Sequence, residues 1–163
     1  MAPAPKLLAV YLNDHLAGSV VGTNLARRLV KENEDNEYGR EMAVVAREIE
    51  EDQGELERLM DRLEVHKRRA RLGIAWVAEK FGRLKPNGRL VGYSPLSRLI
   101  ELEGLMMGIT GKLALWRALK RVEGSLPALR ETNLERLIER AESQRATVQA
   151  LRVEAAGEAL TQD

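Results

Sequence analysis

The sequence predicts an all-α protein, and three observations support that fold class. Apolar residues recur at spacings of three and four along most of the chain, which is the period of an amphipathic helix. No segment shows the strict alternation of apolar and polar residues that marks a half-buried strand. The chain has 163 residues, of which 44% are hydrophobic and 31% are charged, values that suit one helical domain. Residues 1–163 are therefore predicted to form a single helical-bundle domain with frayed ends at 1–5 and 159–163.

The strongest helix signal lies between Ser94 and Val122. Ser94 is a natural N-cap, and Pro95 stands at the first helical position, where its missing N–H costs nothing. The inner apolar seam consists of Leu99, Leu102, Met106, Ile109, Leu113 and Trp116. A second seam beside it consists of Leu96, Ile100, Met107 and Ala114. The two seams cover well over half of the helix surface, so this helix is predicted to lie at the centre of the bundle.

Three other long helices and one shorter helix complete the predicted bundle. The first spans about 6–32 and ends in a segment rich in Asn, Asp and Gly. The second begins near Asn36 and follows a heptad seam. A shorter helix over about 67–83 leads from it to the third. The last long helix begins at a capping box, Thr132–Glu135, and fades near Gly157.

One polar residue lies on the predicted inner face of each long helix: His15, Asp52, Glu103 and Gln144. Glu79 takes a similar position on the shorter helix. A buried ionised group is costly unless it is paired or bound to a metal. The helical rise of about 1.5 Å per residue brings three of the four residues to a common height, whichever way the third helix runs. We therefore predict a buried polar cluster of His15, Asp52, Glu103 and Gln144.

The segment YLNDHLAG at 11–18, an acidic second helix and a long connection to the third helix resemble the ferritin-like superfamily. This resemblance implies four long antiparallel helices in up-down-down-up order, with a short helix in the crossover between the second and the third. Di-iron members of the superfamily carry Glu-x-x-His on two helices. In this chain Leu12 and Leu63 stand three residues before His15 and His66. The resemblance therefore implies the fold and not the ferroxidase chemistry.

Two interpretations of the inward polar residues remain open. In the first they are structural: Asp52 pairs with an arginine or with His15, and Glu103 pairs with a cation of its own or a neighbouring helix. In the second, His15, Glu48, Asp52 and Glu103 are ligands of iron or manganese, since carboxylate and imidazole groups suit both metals. No other cofactor and no catalytic residue is predicted.

Charge limits the classes of partner. Lys and Arg number 26 and Asp and Glu 25, so the net charge of +1 gives no reason to expect nucleic acid or a membrane. The only basic cluster consists of Lys67, Arg68, Arg69 and Arg71. It directly follows the segment 32–64, which holds 13 acidic residues and four arginines. The cluster is therefore interpreted as a contact within or between subunits, and phosphate binding is the alternative.

The remaining features predict location and function. Cysteine is absent, which excludes disulfides and thiolate metal sites. The apolar run Leu7–Leu12 is too short for a secretory signal or a membrane span, so a cytoplasmic protein is expected. The wide apolar arc of the third helix predicts a homodimer or a higher homo-oligomer. The predicted function is a self-associating interaction or structural protein, with a metal-binding protein as the alternative.

Overall fold

The computed structural model describes residues 4–68 and 93–161. These residues form four long helices: α1 (Lys6–Glu32), α2 (Glu37–Arg62), α3 (Pro95–Val122) and α4 (Leu134–Leu160). Two short 3-10 turns, Glu123–Ser125 and Pro127–Glu131, join α3 to α4. No strand occurs in the two described ranges, and none of their helices combines the length and apolarity needed to cross a membrane. The prediction of an all-α chain with four long helices is confirmed.

Side-chain caps begin three of the four helices. Asn36, Ser94 and Asn133 each accept a hydrogen bond from the backbone amide three residues later, at 3.3, 3.1 and 3.0 Å. Pro95 occupies the first turn of α3, as the sequence predicts. The cap of α4 is Asn133 and not the predicted Thr132, so this helix begins one residue later than its capping box suggests.

A Schellman motif closes the carboxyl end of α2. The Val65 amide donates to the Met60 carbonyl at 2.9 Å, and the Glu64 amide donates to the Asp61 carbonyl at 3.0 Å. Glu64 has a φ of 53°, in the left-handed region that favours glycine. Val65 and Met60 are both buried and supply the apolar contact that accompanies the motif.

Pairs of polar side chains show how neighbouring helices are aligned. α1 contacts α2 and α3, and α4 also contacts α2 and α3. Between α1 and α2, Thr23 donates to Gln53 at 2.9 Å and Arg27 pairs with Glu50 at 2.5 Å. The corresponding pairs between α3 and α4 are Arg98 with Glu158, Lys112 with Gln144, and Arg117 with Glu142. In both cases residue numbers rise on one helix as they fall on the other, so each sequential pair is antiparallel.

The turn between α1 and α2 brings two stretches of backbone together at Gly39. A Cβ atom on Gly39 would lie 2.1 Å from the carbonyl oxygen of Asn33, closer than any van der Waals contact allows. Asn33 is itself 1% exposed, and its Nδ2 donates to the Leu29 carbonyl at 2.8 Å. Because the obstacle is buried backbone, only glycine fits at position 39.

The buried apolar residues form two clusters, one toward each end of the bundle. The cluster at the start of α1 includes Leu12, Leu16, Leu56, Leu59, Leu113, Trp116, Leu134 and Leu137. The cluster at the end of α1 includes Ala26, Leu29, Met42, Ile49, Leu102, Ile109, Val148 and Leu151. Between these clusters α2 carries Asp52, α3 carries Lys112 and α4 carries Gln144. A polar layer therefore separates two apolar cores.

α3 buries only part of its predicted apolar arc. Most of the inner seam is buried, as predicted: Leu99, Leu102, Ile109, Leu113 and Trp116. In the second seam, however, Leu96 is 50% and Met107 is 68% exposed, and Ala114 is exposed as well. Burial extends instead around the other side of the helix, to Glu101, Leu105, Leu115 and Leu119. Because α3 lies against only two of the other described helices, one apolar row of α3 faces solvent.

The predicted shorter helix at 67–83 is described only at its first two residues. Residues 65–68 have no regular structure. The remainder of that helix, including Arg69, Arg71 and Glu79, lies outside the described residues.

Candidate functional site

The centre of the polar layer is Asp52 on α2, whose side chain is 1% exposed. Lys112 of α3 places its Nζ 2.5 Å from Asp52 Oδ2. Arg140 of α4 donates from Nη2 to the other carboxylate oxygen, Oδ1. A buried carboxylate is tolerated only when its charge is compensated. Asp52 therefore meets one cation on each oxygen, and each cation comes from a different helix.

Gln144 of α4 forms hydrogen bonds with both the ammonium group and the carboxylates of this layer. It is 1% exposed, and its Oε1 accepts from Lys112 Nζ at 2.5 Å. Its Nε2 donates to Asp52 Oδ2 at 3.2 Å and to Glu48 Oε2 at 3.1 Å. This orientation of the amide is the one that the charges require, since the oxygen faces the ammonium group and the NH₂ faces two carboxylates.

Helical spacing explains why these residues meet. Glu48 and Asp52 are four residues apart on α2, and Arg140 and Gln144 are four residues apart on α4, so each pair occupies one face of its helix. Gln144 contacts Glu48 and Arg140 contacts Asp52, as antiparallel packing of the two faces requires. Arg140 also reaches outward, where its Nη1 pairs with Glu51 at 2.8 Å. The layer thus fixes the register of α2 against α4.

Burial has the largest effect on the pKa of Lys112. Desolvation lowers the pKa of its ammonium group, and the nearby Asp52 carboxylate opposes that shift without cancelling it. Its side chain is only 15% exposed. Both Nζ contacts are with oxygens inside the protein, Asp52 Oδ2 and Gln144 Oε1. Lys112 is therefore an internal counter-ion of the Asp52 carboxylate.

The structure brings together two of the four residues in the predicted polar cluster. Asp52 and Gln144 are hydrogen-bonded to each other, whereas His15 and Glu103 make no hydrogen bond to either of them. Asp52 pairs with an arginine, which is one of the two partners that the sequence suggests, and not with His15. Neither Lys112 nor Arg140 is foreseen by the sequence argument.

His15 lies apart from the layer, beside Tyr11. The two rings meet edge to face, with centroids 4.5 Å apart. Partial burial lowers the pKa of the imidazole, and the neighbouring Asp14 carboxylate acts in the opposite direction. His15 is therefore in an aromatic contact and makes no hydrogen bond to the residues of the polar layer.

Glu103 is half exposed on the outer side of α3. Its Oε1 lies 3.3 Å from Arg152 Nη1 of α4, and 46% of its side chain is accessible. The partner thus comes from a neighbouring helix, one of the sources expected from the sequence. An exposed pair of this kind contributes little to stability.

The described part of the basic cluster makes contacts within the chain. Lys67 Nζ lies 2.8 Å from a carboxylate oxygen of Asp61, and the Arg68 amide donates to Asn13 Oδ1 at 2.7 Å. The Asn13 side chain also donates to the His66 carbonyl at 3.1 Å. These contacts attach the segment that follows α2 to the beginning of α1.

A second buried carboxylate, Glu101 on α3, is absent from the sequence prediction. It is 4% exposed, its Oε1 lies 2.9 Å from Arg28 Nε, and its Oε2 accepts from the Tyr93 hydroxyl at 3.0 Å. Burial raises the pKa of Glu101, and the Arg28 charge and the Tyr93 hydrogen bond partly offset that rise. Burial also raises the pKa of Tyr93. The hydroxyl therefore stays protonated and acts as a donor to Glu101.

Arg98 extends this second cluster to the other helices. Its Nε donates to Asn33 Oδ1 at 2.7 Å, and its Nη1 pairs with Glu158 of α4 at 2.7 Å. The guanidinium lies 4.2 Å from the centroid of the Tyr38 ring, within cation–π range. The cluster thus joins the end of α1, the beginnings of α2 and α3 and the end of α4.

Within residues 4–68 and 93–161, no three His, Asp or Glu side chains converge on a point where they could hold a metal ion. An open groove of about 450 Å³ runs between α2 and α4. Its lining consists of Glu50, Glu51, Gly54, Glu55, Arg58, Arg136 and Arg140. Its arginines already pair with its carboxylates, as Arg136 does with Glu55 at 3.2 Å. The groove is therefore a row of ion pairs at a helix interface.

Comparisons with known proteins identify no relative of this chain. No protein-family model matches the chain, and no curated protein or solved structure shows significant similarity to it.

Proposed function

We propose that this chain is a ferritin-like helical bundle without a catalytic centre, which acts as a self-associating interaction or structural protein. The observation that carries the proposal is the composition of the polar layer. Where di-iron members of that superfamily hold metal between carboxylates, this chain has Lys112 and Arg140 against Asp52. The protein's own cations neutralise the carboxylate, and the layer is suited to holding helices in register.

The alignment of the other two contacting helix pairs, α1 with α3 and α2 with α4, supports the ferritin-like order. Between α1 and α3, Arg28 pairs with Glu101, and Asn33, five residues later, pairs with Arg98. Between α2 and α4, Glu48 contacts Gln144, and Glu55 contacts Arg136. Residue numbers again run in opposite directions, so α3 is antiparallel to α1 and α4 is antiparallel to α2. With the two sequential antiparallel pairs, these contacts favour an up-down-down-up bundle.

The ends of the α2–α3 connection support the proposed crossover. Arg68 is hydrogen-bonded to Asn13, and Tyr93 is hydrogen-bonded to Asn33. Asn13 and Asn33 are 20 residues apart, which is about 30 Å at ~1.5 Å per helical residue. The connection therefore starts beside the first third of α1 and finishes beside its carboxyl end. The 17-residue helix predicted from the sequence would cover about 25 Å of that distance at ~1.5 Å per residue, and the residues that flank it would cover the rest.

Exposed apolar side chains support self-association. Leu96 and Met107 of α3 and Val153 and Leu160 of α4 are each half exposed or more, with values of 50, 68, 55 and 70%. Apolar surface of this kind marks contact sites when it is contiguous. The test is the mass of the wild-type protein by multi-angle light scattering over a range of concentrations. A dimer or larger species is expected, and a monomer at every concentration would refute the proposal.

A metal-binding protein is the second candidate, and one observation favours it. Glu48 and Asp52 lie one turn apart and converge on the same Gln144 amide, so two carboxylates already face one point. Iron or manganese would need these oxygens, with His15 or Glu103 as further ligands, and would have to displace Lys112. Elemental analysis of protein purified without chelator tests this candidate. A stoichiometric metal and a higher melting temperature on adding it would favour this candidate over the closed layer.

A further inference from the structure

Both described ends of the α2–α3 connection contact α1, and the two contacts lie on one row of its side chains. At the first end the Arg68 amide donates to Asn13 Oδ1 at 2.7 Å, and Asn13 Nδ2 donates to the His66 carbonyl at 3.1 Å. At the second end Asn33 Nδ2 donates to the Tyr93 hydroxyl at 3.3 Å. Asn13 and Asn33 are 20 residues, or five steps of four, apart. The positions on the row between them are all apolar: Ala17, Val21, Leu25 and Leu29.

This row crosses the outward side of α1. At about 100° per residue, five steps of four residues turn by about 200° around the helix, which leaves an arc of about 160° on the other side. That other arc faces the core and holds four buried residues: Leu12, Leu16, Thr23 and Ala26. A chain that leads from Asn13 to Asn33 therefore has to pass over the outward arc, since packed side chains fill the inward one.

The middle of the row is an apolar surface that the described helices leave partly open. Ala17, Val21 and Leu25, which we call the outer row, are each partly accessible. Ala17 and Val21 belong to neither of the two apolar clusters of the core. The chain that leaves one end of the row and arrives at the other is held there by the hydrogen bonds of Asn13 and Asn33.

The part of the chain between these two contacts, residues 69–92, has the length and the apolar content to cover the outer row. Its 24 residues join contacts that are about 30 Å apart, and the helix predicted at about 67–83 covers about 25 Å of that distance. One face of that predicted helix carries three apolar residues: Leu72, Ala75 and Trp76. Trp76 follows Arg68 by eight residues, and Val21 follows Asn13 by eight. A helix that rises alongside α1 therefore brings Trp76 level with Val21.

We propose that residues 69–83 dock across the outer row of α1, with the face that carries Leu72 and Trp76 against Ala17 and Val21. Residues 84–92, which include the turn signal at 86–88, then lead to the contact of Tyr93. The proposal rests on the helix order and the crossover proposed above, and it names the surface that the crossover covers. The outer row is then closed to a second copy of the chain, so self-association uses another surface.

Cysteine cross-linking tests the route directly, because the chain contains no cysteine. A variant with Val21→Cys and Ala75→Cys keeps Trp76 and puts one thiol on each side of the proposed contact. A short bifunctional maleimide should join the two thiols within one chain, and mass spectrometry of the tryptic peptides identifies the product. The matched control combines Ala75→Cys with Met107→Cys, since Met107 lies midway along α3 and is 68% exposed. The control should give less than about a tenth of the cross-linked product.

Two results of this experiment would overturn the proposal. A yield from the Val21 pair that is no higher than the yield from the Met107 pair would show that the segment does not pass over the outer row. A product of the Val21 pair that joins two chains, seen as a covalent dimer on a denaturing gel, would show that the row is covered by a second copy. Because the expected product forms within one chain, a protein that is monomeric at every concentration would refute self-association and leave this proposal standing.

A double substitution tests whether Val21 and Trp76 touch. Val21→Glu would place a carboxylate beneath the docked segment and should lower the melting temperature by about 5 °C or more. The loss should be at least halved in a Trp76→Ala background, because residues in contact do not contribute independently. The matched control is Val44→Glu on α2, at a position that is 49% exposed, and its effect should be the same with and without Trp76→Ala. Strictly additive losses for Val21→Glu and Trp76→Ala would refute the contact.

Discussion

Replacing Lys112 with methionine removes the internal counter-ion of Asp52 and keeps most of the volume of the side chain. Asp52 Oδ2 would then keep only the 3.2 Å hydrogen bond from Gln144, while Oδ1 keeps Arg140. The Gln144 oxygen would lose the 2.5 Å donor that it has now. Breaking a buried ion pair by removing one partner costs about 3–5 kcal/mol. Because Arg140 remains, Lys112→Met should lower the free energy of unfolding by about 3 kcal/mol, the lower end of that range.

The matched control for this substitution is Arg117→Met on the same helix. Arg117 and Glu142 are also 2.5 Å apart, but their side chains are 57 and 44% exposed, against 15 and 1% for Lys112 and Asp52. The control should therefore cost less than about 1 kcal/mol. Equilibrium urea unfolding of both variants, followed by circular dichroism, gives the two values.

A double substitution tests whether the cost of Lys112→Met arises from the uncompensated charge. Asp52→Asn in the Lys112→Met background removes the carboxylate that would otherwise lack its cation. The double variant should be more stable than the sum of the two single losses predicts, by more than about 1 kcal/mol. Equal costs for Lys112→Met and Arg117→Met, or strict additivity in the double variant, would refute the interpretation of Lys112 as a counter-ion.

Three further substitutions test other parts of the fold. Gly39→Ala should cost about 2 kcal/mol or more in urea unfolding, because its methyl group meets the Asn33 carbonyl, whereas Gly18→Ala, with nothing within 4 Å, should be neutral or stabilising. Glu64→Gly should stabilise the protein by about 1 kcal/mol, since it relieves a φ of 53°; a loss of stability would contradict the strain argument. Burial raises the pKa of Glu101 above its value in the unfolded chain, so the folded state takes up this proton first as the pH falls. The unfolding free energy of wild type minus that of Glu101→Gln should therefore increase as the pH is lowered through the folded pKa toward the ordinary carboxyl range, and a difference that is flat or falls would contradict the assignment.

Helix content and helix ends were predictable because they depend on local sequence. The Ser94–Pro95 start of α3 and the Asn36 region at the start of α2 are signals that the neighbouring tertiary structure does not override. The cap of α4 is less certain from sequence, since Thr132 and Asn133 are both good N-caps. Tertiary structure decides that case, because Thr132 Oγ1 accepts a hydrogen bond from Arg62 and leaves the capping position to Asn133.

Only two residues of the polar layer, Asp52 and Gln144, could be predicted from the sequence. Asp52 and Gln144 interrupt clear apolar seams, so helical periodicity reveals them. Lys112 and Arg140 lie at the edges of their seams and extend long side chains inward, and periodicity alone cannot distinguish them from surface cations. Glu48 and Asp52 are spaced i to i+4 on α2, and Arg140 and Gln144 have the same spacing on α4. This shared spacing is the sequence signal that could have identified the pairing of α2 with α4.

The wide apolar arc of α3 explains why the sequence analysis predicted Glu103, and not Glu101, on the inner face of the helix. With apolar residues on well over half of the helix, the sequence does not show which part of the arc faces the core. The predicted phase put Glu103 inside and left Glu101 out, whereas the structure buries Glu101 and leaves Glu103 half exposed beside Arg152. The phase is set by the two neighbours α1 and α4. The part of the arc that they leave uncovered is the row centred on Met107.

Native mass spectrometry of protein purified without chelator tests the central claim most directly, because one spectrum reports both assembly and bound metal. The account predicts a species of twice the chain mass, with no added mass of iron or manganese, because Lys112 and Arg140 already compensate Asp52. A monomer at every concentration, or a stoichiometric metal on each chain, would contradict it.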